Sequence, residues 1–310
     1  MPPVIDIQNL TKKFDSITAA DGISLAIDEG EMFGIVGPDG AGKTTIMRLL
    51  CGVLLPTSGS ATLLGRDLVK DASTIKREIG YLSQRFSLYG DLSIDENIEF
   101  FAEINEVYEY RQRREELLEF TRLTPFRKRL AEQLSGGMKQ KLALACTLIH
   151  KPRIIFLDEP TTGVDPVSRR DFWKILSSLL KSNITIVMST PYLDEAERCS
   201  RVALLNRGKL MVVDTPQNVE KSMLGEVIEI VCPRIAKAAR LLKNSPVTKD
   251  VQTFGDRLNV IVENAKTDIE PLRALLEGNG IPIDSWRPIN ASLENVFISL
   301  MAKQGAENET

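Results

Sequence analysis

Two short stretches of this chain have the residue types and spacing to hold phosphate. The first is Gly37-Pro38-Asp39-Gly40-Ala41-Gly42-Lys43-Thr44, followed by Thr45. Its glycines let backbone N–H groups turn inward around phosphate oxygens. Lys43 is spaced to reach β- and γ-phosphates, and the Thr44 hydroxyl to ligate Mg²⁺. The second stretch is Leu134-Ser135-Gly136-Gly137-Met138-Lys139-Gln140, which opens an apolar-periodic helix. Unpaired N–H groups and the positive dipole end favour an anion at a helix N-terminus. Each surface occurs once. Two such surfaces in one chain suggest ATP held between two copies.

A third stretch supplies acid groups. Ile154-Ile155-Phe156-Leu157-Asp158-Glu159 is an apolar run closed by two carboxylates. An Asp at the end of a buried strand suits the Mg²⁺ hydration shell. Glu159 is placed to orient or deprotonate an attacking water. The plainer reading is a solvated acidic turn before Pro160, and the phosphate loop weighs against it.

The elements that position these residues follow from periodicity. Val4–Ile7 and Ile23–Ile27 read as strands, and Met32–Val36 as a short apolar strand running into the glycine turn. A helix over 44–53 completes the strand–loop–helix order that a phosphate loop needs. Residues 79–82 read as a strand, and 94–145 are mostly helical. Residues 154–157 suit a central parallel strand. A helix over 168–182, a β-branched strand over 184–189 and a hairpin around Asn206-Arg207-Gly208 follow. From about residue 223 the order becomes β-α-β-β-α-β with a helical tail over 292–302, a ferredoxin-like pattern. The expected boundaries are therefore 1–222 and 223–310. Residues 304–310 are polar and expected to fray. The fold class is α/β: a P-loop NTPase core with an antiparallel β subdomain and a helical subdomain over 94–145, plus a small α+β domain.

Composition narrows the classes further. The 310 residues carry 39 basic and 42 acidic groups, net charge −3, so nothing attracts nucleic acid in general. The hydrophobic share of 43% suffices for packed cores. Cys51, Cys146, Cys199 and Cys232 form no C-x-x-C pair and read as free buried thiols. The opening residues lack a basic–apolar leader pattern. No uncharged run reaches the roughly 20 apolar residues of a span. A soluble chain is expected, with any membrane role through a partner.

Taken in order, these motifs resemble the ATP-binding subunits of the ABC superfamily. Gly37–Thr45, Leu134–Gln140 and Ile154–Pro160 match that family's phosphate loop, signature and acidic-strand motifs. The resemblance places Gln84, in Gly80-Tyr-Leu-Ser-Gln84, in the Q-loop, as a Mg²⁺ and water contact near the membrane partner. It places Asp165, in Gly163-Val-Asp-Pro166, in the D-loop that crosses the dimer interface. It makes Phe14 an adenine-stacking aromatic. It implies ATP and Mg²⁺ as cofactors, with Thr44, Asp158 and Gln84 as metal contacts and Glu159 and Gln84 as catalytic residues. It also implies a homodimer or heterodimer of ATPase subunits, a separate transmembrane permease docked near Gln84 and 94–130, and attachment to the inner membrane face through it. The tail Ser292-Leu-Glu-Asn-Val-Phe297 looks like that of export-type subunits, though a packing helix explains it equally. The second domain reads as a ligand sensor or as a dimer-stabilising module. The alternative is a soluble ABC ATPase of DNA repair, translation or iron–sulfur assembly.

One position departs from the family pattern. Pro191, in Met188-Ser-Thr-Pro191-Tyr192, stands where the family places its switch histidine. The single histidine, His150, lies outside these motifs and is expected in a solvated loop. Proline offers neither a side-chain donor nor an N–H. Either Glu159 drives slow hydrolysis with Thr190 or Tyr192 partly replacing the contact, or a non-identical partner performs most turnover.

Overall fold

The structure, a computed structural model, describes residues 2–85 and 88–307. The chain divides into two compact units, 1–213 and 214–310. In chain order the first carries β1 (Ile5–Phe14), β2 (Ile17–Ile27), β3 (Met32–Val36), α1 (Lys43–Leu50), β4 (Ser58–Leu63), β5 (Arg66–Asp67), α2 (Ala72–Glu78) and β6 (Ile79–Leu82). It continues with α3 (Ile94–Ile104), α4 (Tyr110–Thr121), α5 (Gly136–Leu148), β7 (Ile154–Asp158), α6 (Pro166–Lys181), β8 (Thr185–Thr190), α7 (Leu193–Ala196), β9 (Arg201–Asn206) and β10 (Lys209–Asp214).

Two sheets organise this unit. A six-stranded sheet has the order β10-β9-β3-β8-β7-β6, and an antiparallel sheet has the order β2-β1-β4-β5. In the larger sheet β3 pairs in parallel with β8 and β9, and β7 pairs in parallel with β6 and β8. Every residue of β3, β7 and β8 is buried. Helices cover both faces of such a sheet, which is why these strands read as continuous apolar runs. Ile46, Met47, Leu49 and Leu50 of α1 pack into one core with Phe156 of β7 and Val187 of β8. The three loops that leave β3, β7 and β8 therefore emerge side by side. In open α/β sheets the carboxyl ends of the strands are where ligands bind.

Local signals set the helix starts. Asp165 caps α6 by accepting from Val167 N (3.1 Å) and Ser168 N (3.0 Å), with Pro166 in the first turn. Ser93 and Glu96 form a capping box on α3. The β9–β10 hairpin turns through Arg207 and Gly208, both at positive φ. The expected strands at 4–7 and 23–27 are longer, because β1 and β2 form one long ladder with register shifts.

The second unit carries α8 (Pro216–Lys221), β11 (Glu226–Val231), α9 (Ile235–Lys243), β12 (Thr248–Phe254), β13 (Arg257–Val262), α10 (Ala265–Gly278), β14 (Ser285–Ile289) and α11 (Leu293–Glu307). Its sheet has the antiparallel order β12-β13-β11-β14. Ala238 and Leu242 of α9, and Leu272 and Leu276 of α10, bury Ile228, Ile230, Leu258 and Val260. The side chains of Gln252 and Asn295 are joined by an amide hydrogen bond of 2.8 Å, which ties α11 to β12. The last strand begins at Ser285 rather than 281, since Ile281 N is spent on Leu276 O, 2.9 Å away, where the chain leaves α10. The compact unit begins before 223 because it includes α8, which packs on α11. Of the expected frayed tail, 304–307 continue α11, and 308–310 lie outside the described residues. Among the described residues no helix is long and apolar enough to cross a membrane.

Candidate active site

One cavity of about 440 Å³ gathers most of the residues singled out by sequence. Phe14, Asp39, Gly40, Ala41, Gly42, Lys43, Thr44, Thr45, Gln84 and Glu159 line it, together with Ala19. Gly37 and Pro38 sit beneath it through Lys43, whose Nζ donates to their carbonyls at 2.9 and 3.0 Å. Gly42 starts α1 at φ +102°, and a Cβ there would lie 2.2 Å from the Ala19 carbonyl. Only glycine suits that position on both counts. A Cβ on Gly40 would meet nothing within 4 Å, so that residue faces open space. Phe14, at the end of β1, is 42% exposed, with Lys12 Nζ 5.0 Å from its ring centroid.

The acid groups meet this loop directly. Thr44 Oγ1 donates to Asp158 Oδ1 at 3.1 Å. Lys43 Nζ pairs with Glu159 Oε1 at 3.1 Å, and Gln84 Nε2 donates to Glu159 Oε2 at 2.9 Å. Lys43, Asp158 and Glu159 are all buried. Buried charges of this kind are tolerated when paired and hydrogen-bonded. Burial, then the Asp158 charge, pushes the neighbouring Tyr81 hydroxyl up to about 12. Glu159 has φ +47°, a left-handed conformation rare outside glycine and frequent at functional sites. A hydroxyl–carboxylate pair at Thr44 and Asp158, an amide at Gln84 and an open glycine loop make a hard-oxygen donor set, which fits Mg²⁺ and a polyphosphate.

Sequence reasoning missed the residue that holds this arrangement. Parallel pairing sets Ser189 of β8 opposite Asp158 of β7. Ser189 Oγ donates to Asp158 Oδ1 at 2.6 Å and accepts from Glu159 N at 2.9 Å. It is fully buried. A serine next to the end of an otherwise apolar and β-branched strand was the available signal.

The second group of expected residues lies elsewhere. Ser135, Gly136, Gly137 and Asp165 do not line the cavity. Ser135 caps α5 by accepting from Met138 N at 3.3 Å. A Cβ on Gly137 would lie 2.3 Å from Ser168 Oγ and 3.8 Å from Asp165 Oδ2, whereas one on Gly136 would meet only the Gly163 carbonyl at 3.9 Å. Gly137 thus packs inside its own chain, and Gly136 presents an open backbone. Hydrogen bonds from Ser168 hold the Asp165 carboxyl below its usual range. Gln140 of α5 links the two groups, its side chain donating to the Pro160 carbonyl next to Glu159.

Pro191 leaves the end of β8 beside the phosphate loop, where Gly37 N donates to Thr190 O at 3.4 Å. The expectation that Thr190 or Tyr192 stands in for the missing imidazole meets an obstacle. Thr190 Oγ1 donates to Glu195 Oε2 at 2.6 Å and accepts from Tyr192 N at 3.0 Å. The Tyr192 ring lies under the Arg169 guanidinium at 4.8 Å. The Thr190 hydroxyl is thus engaged within the chain, and the Tyr192 ring is held by Arg169. His150 is not a solvated loop residue: it is half-buried, and its Nε2 lies 2.8 Å from Ile79 O.

A parallel sheet, a glycine loop opening a helix and an acidic strand end define a P-loop nucleotide-binding cassette. Residues 20–162 match the ABC transporter family. The chain is 38% identical over 309 residues to the probable multidrug ABC transporter ATP-binding protein YbhF of Escherichia coli, covering 97% of this chain and 53% of that protein. It is 36% identical over 304 residues to the Nod factor export ATP-binding protein I of Burkholderia thailandensis, covering 97% of both chains. The chain therefore belongs to the ABC transporter ATP-binding family, although it spans about half the length of YbhF. Among solved structures, cbiO1 from Clostridium perfringens has 26% identity and a TM-score of 0.65, covering 72% of this chain and 92% of that one. The ATP-binding cassette MJ0796, in a dimeric post-hydrolysis state with ADP and Pi, has 28% identity and a TM-score of 0.61, covering 68% and 98%.

Proposed function

We propose that this chain binds and hydrolyses ATP and powers a separate membrane permease that exports its cargo. The observation that carries the reading is the single cavity bringing Phe14, Gly40–Thr45, Gln84 and Glu159 together, with Asp158 directly behind Thr44. Backbone N–H groups of Gly40–Thr45 and the Lys43 ammonium bind the phosphates, and Phe14 stacks on the base. Thr44, Asp158 and Gln84 hold Mg²⁺, which when bound neutralises phosphate charge. Glu159 takes the proton of the attacking water. Lys43 and Glu159 are paired at 3.1 Å, so a phosphate that draws Lys43 away releases the carboxylate for that work.

Ser135, Gly136 and Gly137 complete the site of a second ATPase subunit, identical or not. Closure of the pair favours ATP because only its γ-phosphate reaches both surfaces. The relatives' printed names, a probable multidrug transporter and a Nod factor exporter, support transport over the soluble alternative in repair, translation or iron–sulfur assembly, and the second supports the outward direction. In this reading the chain attaches to the inner membrane face through the permease, and the 223–310 segment serves as an accessory domain. Pro191 leaves the turn without a γ-phosphate donor, which slows hydrolysis.

ATPase measurement on purified protein tests the reading. Wild type is expected to release phosphate with Mg-ATP, Glu159→Gln to bind ATP without turnover, and Lys43→Ala to lose both. Equal rates for wild type and Glu159→Gln remove Glu159 as base. Absence of ATP binding by wild type removes the function.

A further inference from the structure

Glu195 lies outside every phosphate motif, yet it is 1% exposed. Its Oε1 accepts from Thr161 Oγ1 and from Arg169 Nε, each at 2.6 Å, and its Oε2 from Thr190 Oγ1 at 2.6 Å. Three donors, one of them a guanidinium, satisfy a carboxylate that burial otherwise disfavours. The donors come from separate segments. Thr161 follows Glu159 by two residues, Thr190 precedes Pro191, and Arg169 lies one turn past Asp165. Thr190 also touches the phosphate loop through its carbonyl, and its hydroxyl fixes Tyr192 N. Asp194 adds a second contact to Arg169 at 3.2 Å.

We propose that Glu195 is a positioning residue for hydrolysis. It locks the loop after Glu159, the turn at Pro191 and the start of α6 into one unit. Movement felt at Asp165 is thereby passed to Glu159. A turn that offers proline instead of a donor contributes geometry, and Glu195 is what fixes that geometry. This proposal rests on the ATPase reading above. A purely structural carboxylate would lower turnover only as far as its loss lowers the folded fraction.

The test compares kcat, KM and Tm for Glu195→Gln, Thr190→Val and Thr190→Ser in the full chain. Valine matches threonine in shape and lacks the hydroxyl, and serine restores it. Glu195→Gln and Thr190→Val are each expected to lower kcat at least tenfold, about 1.4 kcal/mol, with KM within about threefold. Thr190→Ser is expected to stay within about threefold of wild type. Wild-type kcat in Glu195→Gln overturns the proposal, and if Thr190→Val alone is slow the threonine acts directly instead. A fall in kcat that only tracks the folded fraction seen by melting also overturns it. Glu159→Gln, run in parallel, reports on the base assignment alone. If that variant turns over at wild-type speed, the base is misassigned, and Glu195→Gln still reads out Glu195.

Discussion

Ser189 is the residue on which the acidic end of the site depends, and Ser189→Ala measures that dependence. The substitution removes one hydroxyl and leaves strand β8 otherwise unchanged. It deletes a 2.6 Å hydrogen bond to the Asp158 carboxylate and a 2.9 Å acceptor for Glu159 N. A hydrogen bond to a charged group contributes about 1.5–3 kcal/mol, and a neutral one about 0.5–1.5 kcal/mol. Both groups keep other partners: Thr44 Oγ1 at 3.1 Å and the Tyr81 hydroxyl at 3.4 Å from Asp158, and Ser189 O at 3.2 Å from Glu159 N. The net loss is therefore at the lower end, about 2 kcal/mol. In a unit of this size that lowers Tm by about 4–8 °C. Glu159 already sits in a left-handed conformation, so loss of its anchor shifts the carboxylate. Displacements near 1 Å cost roughly 100-fold in rate, and a fall of about 10- to 100-fold in kcat is expected. Thermal melting and steady-state phosphate release are the assays. Ser178→Ala, which loses only an exposed bond to Lys174 O, serves as the control. A Ser189→Ala protein within about 1 °C and twofold of wild type refutes the reasoning.

Three further outcomes follow from the same geometry. Gly137→Ala drives a Cβ to 2.3 Å from Ser168 Oγ, whereas Gly136→Ala meets nothing closer than 3.9 Å. Melting should therefore fall for Gly137→Ala and stay unchanged for Gly136→Ala. Pro191→His restores a donor beside the phosphate loop and is expected to raise kcat, since one lost transition-state donor costs about 2.7–4 kcal/mol. An unchanged rate removes proline as the handicap. Burial pushes the Cys51, Cys146, Cys199 and Cys232 thiols up, Cys199 to about 12. A raised pKa keeps each thiol protonated and unreactive below that value. Titration with a thiol reagent at pH 8 should find none accessible in folded protein and four in denaturant. Prompt labelling of the native chain contradicts the burial.

Much of the site was legible because its logic is local. The glycine loop, Lys43 and Thr44 form one contiguous turn, and Asp158 and Glu159 close a strand whose apolar run announces a parallel sheet. Ser189, Thr161, Arg169 and Glu195 were not legible, since their partnership exists only after β7 and β8 pair in register and α6 and α7 return against them. Burial of His150 was hidden for a similar reason, as its partner Ile79 opens strand β6, 71 residues earlier in the chain. Strand lengths in the antiparallel sheet escaped prediction because β1 and β2 shift register, which breaks the two-residue alternation. The helical tail at 293–307 was visible as a pattern, while its anchor, the Gln252–Asn295 amide pair, joins residues far apart in sequence.

The central claim is that nucleotide bridges the loop of one copy and the Ser135–Gly137 surface of another. Light scattering of Glu159→Gln, with and without ATP, tests it most directly when set beside Glu159→Gln/Gly136→Asp. Gly136 has room for a side chain in its own chain, and the added carboxylate repels phosphate there. Glu159→Gln is expected to double in mass with ATP, and the double variant to bind ATP yet remain at monomer mass. Equal dimerisation of both proteins contradicts the claim.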